Sequence, residues 1–492
     1  MNLGWLDFTA ILIYLIIVVV VGLRVKTGDK SQKEFFLGGK NLPWYIILFS
    51  IIATETSSLT FLSVPAISFG SDLSFLQLAL GFIIGRYLVA YFLLPGYRKG
   101  EYSSVYEWIG EALGPQTQKS LSTIFIITRL LADGVRLFVT SIPLSLILYS
   151  FFKDSLSSVQ IGIFSLLIIS LFTILYTVYG GFRSVVITDS IQFFIYIGGG
   201  LFSFIYILSE LSSQYTIAQI FETLKLSGKF QFYRGMGGDF FKTPYYGINA
   251  IFGGILISLG SHGVDQLIAQ RSLACKTEKE SKRALILSGY LVFLQFVLFL
   301  GIGLLLFLYY KGEKGIIAGD VFSKYIVERI PSPFAGIILA AILASAMSTL
   351  SSSINSLSLA AIVDWKPTFV QKFEESRVLR YASIFWGLVL FASSLIPYLL
   401  IENARNELVQ LGLKIASFTF GPMIAVFMLI RIEEKNLVNI SPRILLSSVF
   451  LSLSSAILLN FVFQPDLSFI IPAGILSFFL FFYSGKKIFG SY

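Results

Sequence analysis

Residues 345–358 read Ser345-Ala-Met-Ser-Thr-Leu-Ser-Ser-Ser-Ile-Asn-Ser-Leu-Ser358, with eight hydroxyl side chains in fourteen positions between apolar flanks. A helix would place five of these hydroxyls on one face, because they recur at i, i+3, i+4, i+7 and i+11: Ser345, Ser348, Thr349, Ser352 and Ser356. Neutral oxygens in such a row suit a small hard cation that must bind and then leave. The alternative is a seam of small residues at which helices pack closely.

The composition of the whole chain indicates the environment of this segment. Of 492 residues, 55% are hydrophobic and 13% are charged, whereas soluble proteins are about 25% charged. Apolar stretches long enough to cross a bilayer recur along almost the entire sequence. We therefore predict an all-α, polytopic membrane protein with about thirteen spans, at roughly 5–23, 44–70, 74–97, 120–151, 158–178, 185–208, 246–270, 283–310, 333–362, 378–400, 406–430, 443–463 and 467–484.

The basic residues lie mostly in alternate short loops and in the Lys486-Lys487 tail. Their positions predict that the N-terminus lies outside and the C-terminus in the cytoplasm. The expected location is the plasma (inner) membrane. The net charge of +9 therefore sets topology and is no sign of nucleic-acid binding. One cysteine, Cys275, and one histidine, His262, exclude disulfide frameworks and multi-histidine metal sites. With no paired catalytic groups either, we expect the protein not to be an enzyme.

Two spans contain polar stretches that predict irregular helix. Residues Ala53–Thr60 are Ala-Thr-Glu-Thr-Ser-Ser-Leu-Thr, followed by Pro65. Unwinding there would free backbone carbonyls to coordinate an ion; the alternative is a proline-kinked helix with satisfied hydroxyls. Residues Gly260–Gln266 (Gly-Ser-His-Gly-Val-Asp-Gln) indicate a second irregular helix. His262 in this stretch is either a ligand or a hydrogen-bonded interior residue.

Charged residues inside spans mark candidate functional positions. Arg129, Asp133 and Arg136 fall on one helical face, and Asp133 can neutralise only one arginine at a time. The surplus charge predicts an anion-binding site, since a guanidinium matches a carboxylate in bidentate fashion; a buried salt-bridge cluster is the alternative. Asp189 could charge a second cation site, pair with Arg183 or carry a proton. Lys414 either pairs with a carboxylate or faces an aqueous cavity.

Four segments in order resemble the sodium/solute symporter family: Gly38–Trp44, Tyr179–Arg183 with Thr188–Gln192, Asp265–Arg271, and Met347–Leu350 with Ile354–Ser356. The resemblance implies a LeuT-like core of two five-helix repeats of inverted topology, with the first helix of each repeat broken at the binding site. It divides the chain into a peripheral N-terminal helix and loop (1–43), the first repeat (44–208), an extracellular loop (209–245), the second repeat (246–431) and two peripheral C-terminal helices (432–492).

The resemblance also implies site residues. The family's main sodium site falls on the carbonyls of Ala53, Thr56 and Ser345 and the hydroxyls of Ser348 and Thr349. A second sodium site, present in some members, falls on Asp189, Ser348, Ser351 and Ser352. The branch that carries sialic acid is similar at the solute site, where Ser57, Thr60, Gln77 and Arg136 are the counterparts of its carboxylate-binding groups. The serine-rich segment also resembles that of the family's iodide, monocarboxylate and multivitamin transporters. His262 and Lys414 complete the predicted solute site.

These observations predict a sodium-coupled secondary symporter that imports a small organic solute, with one or two sodium ions co-transported. An anionic carboxylate is favoured over a neutral sugar or polyol, although Glu55 would repel an anion. A channel is the rival from another class, but a pore does not need broken helices around one central site. The expected partners are sodium, the solute and the lipid bilayer, and we expect a monomer.

Overall fold

A computed structural model describes residues 4–25, 31–233, 245, 247–311, 316, 318–367, 374–400, 402–433 and 440–489. Within these ranges the chain is helical and forms no β-strand, so the all-α prediction is confirmed. The helices are α1 Trp5–Arg24, α2 Gln32–Leu37, α3 Trp44–Glu55, α4 Ser58–Gly70, α5 Phe75–Leu88, α6 Leu94–Arg98, α7 Val105–Leu113, α8 Pro115–Phe152, α9 Ser158–Ser212, α10 Ile217–Leu226, α11 Gly247–Ser258, α12 Gln266–Ala274, α13 Glu278–Tyr309, α14 Val321–Arg329, α15 Phe334–Leu359, α16 Glu375–Leu395, α17 Glu402–Ile432, α18 Pro442–Phe463 and α19 Leu467–Phe489.

The helices have the length and composition of membrane spans. Among the described residues, 10 helical segments are long and apolar enough to cross a bilayer, or 11 if the bent α3–α4 pair is one span. Helix α8 has 38 residues but carries Arg129, Asp133 and Arg136 near its middle. Helix α9 has 55 residues and covers both spans predicted at 158–178 and 185–208. The multi-pass membrane protein is confirmed, and the count of thirteen spans stays a prediction.

A glycine breaks α9 between its two halves. Gly181 has φ 55° and ψ −156°, a conformation that residues with a Cβ rarely adopt. A Cβ at this position would also lie 2.9 Å from the carbonyl oxygen of Phe35. The chain therefore turns at this glycine and can cross the membrane again.

The two predicted helix interruptions are present. Helix α3 ends at Glu55, Thr56 and Ser57 are extended, and α4 leaves at an angle of 62° to α3. Helix α11 continues as one wide turn, Leu259–Val264, before the extended Asp265 starts α12. Both interruptions leave backbone groups without their partners within the helix. The prediction of irregular helix is confirmed in both spans.

The serine-rich segment lies on α15, at the centre of the protein. This helix contacts α1, α3, α8 and α9, and 89% of its most apolar stretch is buried. Most of its hydroxyls bond to carbonyls one turn earlier in the helix, as Ser358 Oγ does to the Ile354 oxygen at 2.6 Å. These internal bonds make a polar helix compatible with an apolar interior.

Close contacts between glycines fix the position of α11 against α5. A Cβ on Gly81 would lie 2.1 Å from the Ile251 carbonyl oxygen, and one on Gly254 would lie 2.2 Å from that of Leu78. Small residues permit such backbone approach between membrane helices. Helix α11 is thus packed directly against α5, and it leads into the second interruption.

The two longest segments between predicted spans, 209–245 and 311–332, contain short helices, α10 and α14. Residues 234–244, 312–315 and 317 of these loops lie outside the described residues. After α10, the Lys229 ammonium donates to the carbonyl oxygens of Phe69 at 2.7 Å and Ser71 at 2.8 Å. It therefore caps the C-terminal end of α4, where a positive charge is favourable. Burial lowers the pKa of Lys229, and Asp72 partly opposes this effect.

Candidate functional site

The interruption after α3 faces the hydroxyl row of α15. Ser348 Oγ donates to the Ala53 carbonyl oxygen at 2.8 Å, which joins the end of α3 to α15. The same hydroxyl lies 3.0 Å from the Ser345 carbonyl oxygen, and Thr349 Oγ1 donates to that oxygen at 3.1 Å. A narrow gap beside these groups is also lined by Thr56. The structure thus brings together the residues predicted for the main sodium site.

The chemistry of this donor set fits a monovalent cation. It consists of backbone carbonyls and neutral hydroxyls, which are the oxygen ligands that hard cations prefer. The carbonyl oxygens of α3 are available because the helix ends there. The absence of a carboxylate from this set favours an ion that is released as well as bound. Whether these five residues hold sodium stays a prediction.

The predicted second cation site contains an arginine. Asp189 Oδ2 accepts hydrogen bonds from Arg271 Nη2 at 2.9 Å and from Ser50 Oγ at 2.6 Å. Arg271 also bonds to Ser352 Oγ. Asp189 and Arg271 are both completely buried. Asp189 therefore pairs with Arg271, and the suggested pair with Arg183 is wrong, because Arg183 bonds Glu34.

One oxygen of this carboxylate remains free of hydrogen bonds. Asp189 Oδ1 is buried and has no partner among the described residues. Ser351 Oγ and Ser352 Oγ both donate to the Ser348 carbonyl oxygen, at 3.1 and 2.6 Å, and Arg271 joins Ser352 to Asp189. The predicted ligands Asp189, Ser348, Ser351 and Ser352 are thus neighbours, with Arg271 already among them. A second cation would have to share the carboxylate with this guanidinium.

A cavity of about 410 Å³ lies next to the two interrupted helices. Polar groups from both interruptions line it, together with residues of α8. Apolar side chains form most of the remaining wall, among them Phe75, Phe82, Phe296 and Phe420. The volume is within the range of about 300–1,000 Å³ that is usual for small-molecule sites. The cavity is therefore the candidate solute site.

The arginines of α8 are not in excess of carboxylates. Arg129 forms an ion pair with Asp265, at the start of α12. Asp133 Oδ1 lies 3.4 Å from Nη1 of Arg129 and 3.4 Å from Nη1 of Arg136. Ser353 Oγ donates to Asp133 Oδ2 at 2.6 Å. The prediction of surplus positive charge at these arginines is wrong, because Asp265 supplies a carboxylate that the spacing along α8 does not reveal.

Arg136 differs from its neighbours in its access to the cavity. Its side chain is 29% exposed, whereas those of Arg129 and Asp133 are at most 4% exposed. Its one ion-pair contact with a described residue, Asp133, is long. A guanidinium has five N–H donors, so most of them remain available to a ligand in the cavity.

The other predicted solute residues are not all in one place. Thr60 and His262 line the cavity with Arg136. Ser57 lines a small gap between Arg136 and Thr349 instead. The Gln77 amide donates to the carbonyl oxygens of Ser74 and Tyr245 and does not line the cavity.

Lys414 lies two residues before the cavity residue Ala416 on α17. It is partly buried and forms no ion pair with a residue that the structure describes. The described contacts therefore do not support the prediction that Lys414 pairs with a carboxylate.

Sequence reasoning missed two buried arginines. Arg86 of α5 is completely buried and forms an ion pair with Glu55. Arg271 lies one residue beyond the seventh predicted span (246–270), but α12 carries it into the interior. A single arginine within the apolar third span was the available signal for Arg86. Arg271 ends the segment Asp265–Arg271 that resembles the family, but nothing in that segment indicates an ion pair with Asp189.

Two helices interrupted beside one cavity, and a row of neutral oxygens at one interruption, define a class of protein: an ion-coupled membrane carrier. The sequence profile of the sodium:solute symporter family matches residues 35–435. The chain belongs to this family, and it is a sodium-coupled symporter of a small solute and not an enzyme.

Individual relatives agree with this assignment. The chain is 30% identical over 460 residues to the sodium/sialic acid symporter SiaT of Proteus mirabilis, covering 87% of this chain and 85% of the relative. It is 26% identical to the sodium/sialic acid symporter NanT of Aliivibrio fischeri, covering 87% and 83%. A solved Na⁺-coupled sialic acid symporter, at 24% identity, superimposes with a TM-score of 0.84 over 99% of this chain and 98% of its own. That likeness shows a shared fold.

Proposed function

We propose that this symporter imports a small organic carboxylate, driven by one or two sodium ions. The observation that carries the proposal is Arg136, whose guanidinium lines the cavity and has Asp133 as its one ion-pair partner among the described residues. A planar guanidinium forms two parallel hydrogen bonds to a carboxylate, which gives affinity and orientation. The relatives SiaT and NanT are named for sialic acid, which is itself a carboxylate.

The main sodium site would link ion binding to the solute. Its ligands would be the Ala53, Thr56 and Ser345 carbonyls and the Ser348 and Thr349 hydroxyls, at the interruption that also lines the cavity through Thr54 and Glu55. A cation there would stabilise one arrangement of α3, α4 and α15, and that arrangement would shape the cavity. In the proposed topology the N-terminus is outside and the C-terminus is inside. Because sodium enters the cell down its gradient, it would carry the solute inward.

The number of ions determines the charge that moves. One sodium with a monovalent anion is electroneutral, whereas a second sodium at Asp189, Ser348, Ser351 and Ser352 would add one positive charge. At 100 mV this charge contributes about 2.3 kcal/mol to accumulation.

The proposal includes thirteen spans, two inverted repeats at 44–208 and 246–431, and a monomer as the transporting unit.

The test is sodium-driven uptake into proteoliposomes of N-acetylneuraminate and other carboxylates, each compared with its neutral amide. We expect wild-type protein to prefer the acid, and Arg136→Lys to lose much of its affinity because an ammonium cannot form the bidentate contact. Arg136→Gln should lose the preference for the acid. Arg443→Gln, at an exposed position, is the matched control. Equal sodium-driven uptake of acid and amide by wild type would refute the carboxylate and favour a neutral sugar or polyol.

A further inference from the structure

A second ionic group, Glu55, presents its charge to the cavity. The Glu55 side chain is 20% exposed, whereas its partner Arg86 is completely buried. The same arrangement holds at Arg136, whose partner Asp133 is only 2% exposed. A solute in the cavity therefore meets one guanidinium and one carboxylate, while the groups that neutralise them lie behind the wall.

Glu55 is not placed to stabilise its own helix. It is the last residue of α3, and the negative end of the helix dipole opposes a carboxylate at that position. Asp265, by contrast, is the N-cap of α12 and accepts from the Leu267 backbone N–H at 2.9 Å, where a negative charge is favourable. The position of Glu55 is thus unfavourable for its helix and indicates another role.

The surroundings of Glu55 leave hydrogen-bonding capacity unused. Arg86 Nη2 donates to Glu55 Oε2, and His262 Nε2 lies 3.5 Å from the same oxygen. His262 Nε2 is buried and has no hydrogen-bond partner among the described residues, whereas its Nδ1 lies 2.8 Å from Ser261 Oγ. A carboxylate can accept about four hydrogen bonds, so Glu55 can still accept from a ligand.

We infer that Glu55 is a specificity-determining residue that binds a protonated amine of the solute, while Arg136 binds its carboxylate. The inference rests on the proposed function and narrows the substrate class to zwitterionic amino acids. A zwitterion leaves the cavity neutral, whereas a simple carboxylate brings one negative charge close to Glu55. At a separation of about 6 Å and an effective dielectric constant of about 20, this repulsion corresponds to an affinity loss on the order of a hundredfold.

The rest of the cavity wall indicates the body of the solute. Aromatic side chains of α5, α13 and α17 form its apolar part: Phe75, Phe82, Phe296 and Phe420. Such a surface favours an apolar side chain over a polyhydroxylated ring, because burying hydroxyls without partners is unfavourable. An amino acid with a branched aliphatic or aromatic side chain fits both the charges and the wall.

The experiment uses two assays. Thermal shift measures sodium-dependent binding to the purified protein, and proteoliposomes measure sodium-dependent uptake. Two matched series provide the probes: L-phenylalanine, 3-phenylpropionate and phenethylamine, and L-leucine, 4-methylpentanoate and isoamylamine. N-acetylneuraminate is the reference carboxylate. We expect wild type to bind at least one amino acid at least tenfold more tightly than its acid and its amine, and only in sodium.

Variants then assign each charge. Glu55→Gln should abolish the preference for the amino acid over the acid, and Arg136→Gln should abolish the preference over the amine. Because Glu55→Gln leaves Arg86 buried without a partner, the double variant Glu55→Gln/Arg86→Met is measured beside it. Both Glu55 variants should bind the acid more tightly than wild type does.

Two different results would count against the two proposals. If the acids or N-acetylneuraminate bind in sodium at least as tightly as the amino acids, or if the Glu55 variants keep the wild-type ratio, the inference about Glu55 is refuted and the carboxylate proposal stands. If every carboxylate-bearing probe, amino acids included, fails to bind in sodium while neutral sugars bind, the proposed function itself is refuted.

Discussion

Replacing Ser348 and Thr349 together by alanine tests the main sodium site. The variant removes both side-chain oxygens and keeps the carbonyls. Ser348 Oγ donates across the interface to the Ala53 carbonyl oxygen at 2.8 Å, whereas among the described residues Thr349 Oγ1 donates within α15, to the Ser345 carbonyl oxygen. Losing the interhelical bond should cost about 1 kcal/mol of stability. The variant is therefore expected to fold and insert normally.

The effect on sodium binding should be much larger. A hydrogen-bonding contact with a charged group is worth about 1.5–3 kcal/mol. Taking this as the value of each hydroxyl to the cation, two of them contribute about 3–6 kcal/mol. Sodium affinity should then fall about 10²–10⁴-fold.

Thermal unfolding of the purified protein, titrated with sodium against choline at constant ionic strength, measures this loss. A ligand at one hundred times its Kd stabilises the native state by about 2.7 kcal/mol. Wild type should show this stabilisation, and the double variant should show almost none at the same sodium concentration. Sodium-driven uptake should fall in parallel.

Ser358→Ala is the matched control. Ser358 is a buried serine of the same helix, and its hydroxyl donates to the Ile354 carbonyl oxygen within that helix. This variant should keep the sodium response of wild type. An unchanged sodium midpoint in the Ser348→Ala/Thr349→Ala variant would refute the assignment of the site.

Individual contacts elsewhere in the protein support three more predictions. Asp189→Asn should destabilise the protein by about 3–5 kcal/mol, because it leaves Arg271 buried without its carboxylate. If Asp189 also holds a second sodium, this variant should lower the Hill coefficient for sodium toward one. An unchanged Hill coefficient would exclude the second site. Lys229→Met should lower the melting temperature because α4 loses its cap, whereas Lys225→Met, at an exposed position, should not; equal melting temperatures would contradict the capping role. Gly81→Ala should disrupt the contact of α5 with α11 and reduce the yield of folded protein, whereas Gly198→Ala, where a Cβ meets nothing within 4 Å, should be tolerated; similar yields would show that the contact is not required.

Features that depend on local sequence were predictable. The polar stretch after Ala53 predicted the interruption between α3 and α4, and the glycines around His262 predicted the one between α11 and α12. The hydroxyl row on α15 follows from helical periodicity alone, and the structure places it against the end of α3. These predictions succeeded because helix breaking and side-chain periodicity are set by residues close in sequence.

Ion pairs between distant helices were not predictable in the same way. Arg86 and Glu55 are separated by 31 positions, and Arg129 and Asp265 by 136. A single sequence shows that such charges must find partners in a membrane but does not show which partners. Arg129, Asp133 and Arg136 alone therefore suggest a surplus of positive charge, which Asp265 removes by pairing with Arg129.

The Asp189–Arg271 pair also constrains how a second ion could act. Asp189 Oδ2 already accepts from Arg271 and Ser50, so a cation can bind only through Oδ1, which is free of hydrogen bonds among the described residues. Such a cation would lie close to the guanidinium, and the two positive charges would repel each other. Movement of Arg271 away from Ser352 would strengthen ion binding, and its return would weaken it. Because Arg271 belongs to α12, directly after the second interruption, a shift of that half-helix would change the affinity for the ion.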